Sequence, residues 1–169
     1  MRLPCRQTGF TLLEILVVVM LIGIILSVAV LGTGGDRAAL TETEARRMLA
    51  LFRLAQEEAI LGRRELAARI LPDGYEFQVR EDDHWLPLQG IAVLRPRRLP
   101  GDLTIRLRQD DLPVPLDDTE KPARILFTAS GETIPFVLEL GWAFESPRWR
   151  LRGEASGELR LDALDDGAA

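Results

Sequence analysis

Between Phe10 and Leu31 the only strongly polar side chain is Glu14, and from Ile15 to Leu31 the chain is an apolar run interrupted only by Ser27. As an α-helix, residues 10–31 would be about 33 Å long, enough to cross a bilayer. That length reads 10–31 as a membrane helix and leaves the rest to fold outside it. A carboxylate inside the run costs about 2.5–3.5 kcal/mol near a bilayer centre, less toward its edge, and so marks a functional position that needs a partner. Arg2 and Arg6 precede the run and place the N-terminus on the cytoplasmic side by the positive-inside rule.

The stretch Gly9-Phe10-Thr11-Leu12-Leu13-Glu14, after a short basic leader, resembles the N-terminus of type IV pilins and pseudopilins. The resemblance implies cleavage after Gly9 by a prepilin peptidase and N-methylation of the new terminus, Phe10. It also implies that Glu14 meets the terminal ammonium of a neighbouring subunit. Two such charges offset each other's desolvation only when close and well aligned. A secretory signal peptide competes, with Ile15–Leu26 as its apolar core and Ser27-Val28-Ala29 as a small-residue cleavage site. Glu14 abutting the run, and the run's continuation past Ala29, argue against it. An uncleaved signal anchor leaves Gly9, Phe10 and Glu14 unexplained.

The expected organisation is a leader (1–9), a transmembrane helix (10–31), a linker with an amphipathic helix (32–62), and a periplasmic β-rich domain (63–169). The glycines of Gly32-Thr33-Gly34-Gly35 predict a weakened or kinked helix, with Asp36 capping a restart. From Leu40 to about Leu61, Ala45, Met48, Leu49, Phe52, Ala55 and Ala59 recur at spacings of three and four. They form one apolar face, and Gly62 is the expected stop.

Beyond Gly62 the period becomes two. Leu66, Ala68 and Ile70, then Tyr75, Phe77 and Val79, predict a hairpin turning through Pro72-Asp73-Gly74. Further strands are expected near Trp85-Leu86, Ile91–Leu94, Leu103–Leu107, Arg124–Phe127, Ile134–Leu140, Trp149–Leu151 and Leu159–Leu161, with Pro135 at a strand start or edge. Gln109–Pro122, acidic and rich in proline, reads as a loop. One helix followed by short antiparallel strands is an α+β layout: a long N-terminal helix, transmembrane below and amphipathic above, packed on an antiparallel β-sheet or sandwich. The segment Ile125–Leu140, ILFTASGETIPFVLEL, resembles the C-terminal signature of GspH-type minor pseudopilins, with Ala129 where that family often has Pro.

The resemblance implies a structural subunit at or near the tip of a type II secretion pseudopilus, supporting export across the outer membrane. It would sit in the inner membrane by a single pass, with its C-terminal domain in the periplasm. Its implied partners are other major and minor pseudopilins, a prepilin peptidase and an inner-membrane assembly platform. The alternatives are a minor type IV pilin of a pilus or DNA-uptake machine, and a periplasmic binding domain released by signal peptidase.

Little in the chain supports catalysis. His84 is the sole histidine, which leaves no imidazole cluster for zinc or a hydrolytic triad. Asp82-Asp83-His84 reads as a solvated turn before it reads as a metal site. Asp110-Asp111 with Asp117-Asp118 and Glu120 is rich in oxygen ligands but has no EF-hand spacing, so calcium in loop 109–122 is left open and no cofactor is expected. The only cysteine, Cys5, falls in the leader, so the processed chain forms no internal disulfide. Net charge is −5, and becomes −7 when Arg2 and Arg6 leave with the leader. That balance, and the acidic tail with Asp162, Asp165 and Asp166, give no basis for nucleic-acid binding. Arg95, Arg97 and Arg98, with Arg106 and Arg108 beyond, form a basic patch that reads first as a solvated strand face.

Overall fold

A computed structural model describes residues 12–164, with the backbone alone for 24–35. The leader, Gly9, Phe10, Asp165 and Asp166 lie outside the described residues. Two compact units divide the chain at Ala39/Leu40.

The first unit, as described, belongs to helix α1 (Leu12–Gly62). Helical structure continues through Gly32–Gly35, so the expected break is absent and Asp36 is not an N-cap. Each glycine costs about 1 kcal/mol against alanine, but adding a residue to a helix already nucleated is far cheaper than starting a new one. From Leu12 to Ile22 the apolar side chains are exposed on every side of the helix, Leu12 by 87%. Among the described residues no helix is long and apolar enough to cross a membrane. The expected span runs through 24–31, whose side chains fall outside them.

In the second unit the amphipathic face of α1 is buried as its spacing predicts. Ala45, Met48, Phe52, Ala55 and Ala59 are fully enclosed, and Leu49 packs at the margin. The helix stops at Gly62, but Arg63 takes the left-handed position after it, at φ 48°. The amide of Arg64 bonds to the carbonyl of Ala59 (3.1 Å) and that of Arg63 to Ile60 (3.3 Å). This is the paired capping arrangement usually built on glycine.

Two antiparallel sheets follow. Sheet A contains β1 (Leu66–Leu71), β2 (Gly74–Glu81), β3 (His84–Pro87), β4 (Arg97–Arg98) and β7 (Arg124–Phe127). Its order is β3-β2-β1-β7, with β4 also on β2. Sheet B contains β5 (Leu103–Gln109), β6 (Leu112–Val114), β8 (Phe136–Trp142), β9 (Trp149–Gly153) and β10 (Leu159–Ala163), ordered β10-β9-β8-β5-β6. Ile91–Leu94 is not a strand: Ala92–Leu94 is a 3-10 turn that buries Leu94. A four-residue apolar run carries too little period to choose between the two. The stretch 109–122 is not all loop, because Leu112–Val114 pairs with β5 as an edge strand, where Pro113 is tolerated. Strand β8 starts at Phe136, after Pro135. Ile134, expected on its buried face, is 42% exposed.

Gly74 does not supply a left-handed turn. It is needed because β4 runs against it, and a Cβ there would sit 2.1 Å from the Arg97 carbonyl oxygen. The core lies between α1 and both sheets. Phe52 is its centre, with ring centroids 6.0 Å from Tyr75, 6.1 Å from Phe77 and 5.6 Å from Phe127 of sheet A, and 6.3 Å from Phe136 of sheet B. All four pairs are edge-on, the geometry in which a ring's positive rim meets a negative face.

Candidate functional site

Of the three residues expected to act at the N-terminus, Glu14 is described. It lies in the first turn of α1 and is exposed, with apolar side chains before and after it. The unpaired amides of a helix's first turn favour a carboxylate there. An all-round apolar helix in water is unfavourable by its whole exposed area, so this surface is built to be covered by lipid or by other helices.

In the second unit the polar side of α1 is not idle. Gln56 donates from Nε2 to two carbonyls, Gly131 at 2.8 Å and Gly157 at 2.9 Å. One helix side chain thereby ties the β7–β8 turn to the β9–β10 turn. Gly131 and Gly157 both have φ 85°, and a Cβ on Gly157 would lie 1.9 Å from the Gly131 oxygen, so the two turns can meet only as glycines. Arg53 donates to the Leu159 carbonyl at 3.2 Å. Trp142 Nε1 donates to Thr41 Oγ1 at 3.0 Å, and both residues are buried. These fixings were not readable from sequence spacing. Gln56 and Arg53 lie off the apolar face of α1, and their acceptors lie 75 to 106 positions away.

The acidic pairs have a structural role. Asp82-Asp83 (φ 44° and 65°) and Asp110-Asp111 (φ 48° and 62°) are the two-residue tips of the β2–β3 and β5–β6 hairpins. Both central residues of such turns take positive φ, which aspartate tolerates better than most residues. Asp118 accepts from the amides of Glu120 (2.8 Å) and Lys121 (2.9 Å) and so pins its own loop. His84 Nδ1 lies 2.8 Å from the Asp82 carbonyl on an exposed hairpin. Among the described residues no three His, Cys, Asp or Glu side chains gather to hold a metal ion. The expected basic patch is divided: Arg97-Arg98 is β4 of sheet A, with Arg98 on Asp73 at 2.8 Å, while Arg106 and Arg108 are on β5 of sheet B. Asp162 is held by Arg152 at 2.5 Å.

Residues 4–30 match the prokaryotic N-terminal methylation motif. The fold is that of a minor pseudopilin. The structure of EpsH from the type 2 secretion system of Vibrio cholerae superposes with a TM-score of 0.65, covering 77% of this chain and 99% of that one at 23% identity. Over 171 residues the chain is 32% identical to type II secretion system protein H of Aeromonas hydrophila, covering 92% of this chain and 93% of that protein. The protein of the same description from Pseudomonas aeruginosa is 30% identical, with 93% and 95% covered. Residues 44–157 match the family described as type II transport protein GspH, and the chain belongs to that family.

Proposed function

We propose that this chain is a minor pseudopilin that works as a mechanical subunit at or near the tip of a type II secretion pseudopilus. A prepilin peptidase cuts after Gly9, Phe10 becomes the N-methylated terminus, and residues 10–31 hold the protein in the inner membrane with its β domain in the periplasm. An inner-membrane assembly platform then draws it into the filament. There its apolar helix bundles with those of other pseudopilins, and Glu14 sets axial register by pairing with a neighbour's terminal ammonium. The role needs no catalytic group and no cofactor.

The observation that carries this reading is the helix exposed on all sides from Leu12 to Ile22 with Glu14 as its single carboxylate. The match of residues 4–30 to the methylation motif supports it. Mass spectrometry of the mature protein is the direct test: N-methyl-Phe10 is expected, and a chain starting at Val30 rejects the anchor. Glu14→Ala is expected to be processed normally but to reduce recovery in sheared filaments and to reduce secretion. Secretion at the wild-type level removes the register role. Gly9→Val is expected to retain the leader and to stop incorporation, read from the mass of the membrane-bound protein.

A further inference from the structure

Sheet A has a second face, turned away from Phe52, and it is not an ordinary solvated surface. Residues 67, 69, 76, 78, 80, 85, 124 and 126 alternate onto it. Ala67 and Gln78 are buried there, and Gln78 is held between Arg124 and Glu76, donating to the Glu76 carboxylate at 3.1 Å. Arg124 stacks on the Trp85 ring at 5.6 Å and donates from Nε to Gln78 Oε1 at 2.8 Å. Between this face and the chain segment 114–123 is an open groove of about 460 Å³. Trp85, Leu126, Val114 and Pro122 give it apolar walls, and Arg124, Lys121 and the paired Arg80 and Asp83 line it with charge.

Among the described residues neither Arg124 nor Lys121 is in a direct ion pair. Arg80 at the rim is neutralised by Glu65 at 2.8 Å and Asp83 at 2.7 Å. The direct contacts of Arg124 are a neutral amide and a ring, with Glu76 acting from further away, and Lys121 makes no side-chain bond among the described residues. Desolvation, and then the nearby Arg69, lower the pKa of Arg124, and Glu76 on the same face offsets them only in part. A guanidinium held flat by a ring and an amide keeps its outer nitrogens aimed for a carboxylate.

We propose that this groove binds an acidic, extended peptide segment of a partner protein, with a carboxylate on Arg124 and Lys121 and an adjacent apolar side chain between Trp85 and Leu126. Two cations beside apolar walls suit a peptide carboxylate with an apolar neighbour. The volume lies within the roughly 300–1,000 Å³ of ordinary ligand sites. The net charge of −5 repels acidic chains in general, so capture is local, salt-sensitive and selective. This site stands apart from the assembly role of Glu14, and its test does not need a filament.

The test uses the full chain in neutral detergent micelles with a fluorescein-labelled peptide of alternating Asp and Leu. Saturable binding is expected, weakening as salt rises and shifting the Trp85 indole resonance. Lys121→Glu, at an exposed residue with no side-chain partner to lose, is expected to weaken binding about tenfold, as loss of one charge-assisted contact does. Arg124→Gln is expected to do at least as much, with circular dichroism checking that the sheet survives. The proposal is overturned if the peptide does not bind, if an Asn–Leu peptide binds as tightly, or if Lys121→Glu has no effect. Phosphatidylglycerol vesicles that bind with the same Lys121 dependence would assign the patch to a lipid surface and overturn it equally.

Discussion

Phe52 is where helix and sheets meet, and its ring has no alternative place to go. Phe52→Ala is expected to cost about 3–5 kcal/mol, read from urea unfolding of the full chain in detergent, because four edge-on rings cannot all close the space. Its position was readable from the three-and-four spacing of its neighbours. Tyr75, which touches it, shows what spacing hides: its hydroxyl is buried and makes no hydrogen bond among the described residues. Desolvation is the main cause that raises this hydroxyl from 10.0 to about 12. The unfolded chain therefore loses the proton first. Stability is full below pH 10 and falls as pH rises from 10 through 12, by roughly 3 kcal/mol at the end. Tyr75→Phe is expected to remove that slope and to leave the protein at least as stable at pH 7, measured by thermal unfolding across pH. Arg63, left-handed after α1, could be relieved in the same spirit: Arg63→Gly is expected to raise the unfolding midpoint by about 1 kcal/mol equivalent.

At the scale of elements, hairpins were the most legible feature, because period two and a turn signal are both local. The β1–β2 hairpin falls where Pro72-Asp73 predicts it, yet the glycine beside the turn serves a strand arriving from 23 residues later. The same is true in sheet B. Gly153 sits under the ring of Phe136, and a Cβ there would lie 2.1 Å from Phe136 Cε1. Gly153→Ala is expected to cost about 1–3 kcal/mol by overpacking in the same unfolding assay. Strand β6 was missed for a physical reason: an acidic, proline-bearing stretch looks like loop until a neighbour supplies the pairing. The two turns joined by Gln56 lie far apart in the chain, and only folding brings them together. Gln56→Leu leaves the Gly131 and Gly157 carbonyls without that donor and is expected to cost about 1–3 kcal/mol. Faster amide hydrogen exchange in both turns is the accompanying signal.

For the molecule as a whole, the two units face opposite solvent problems. The described part of the first unit exposes apolar surface on every side, and the second encloses a complete core. The full chain is therefore expected to stay dispersed in detergent or lipid and to aggregate when detergent is removed, which sedimentation measures directly. By itself the sequence determined the apolar run with its one carboxylate, the helix face that enters the core, and the order of helix before strands. Each of these is written in near-neighbour spacing. Only the tertiary structure decided which glycines are close contacts, what Gln56 and the paired aspartates are for, and that the basic residues divide between two sheets. It also decided that Arg124 lies over Trp85 beside a groove. Those facts depend on residues far apart in the chain coming within a few ångströms, and no local pattern records that.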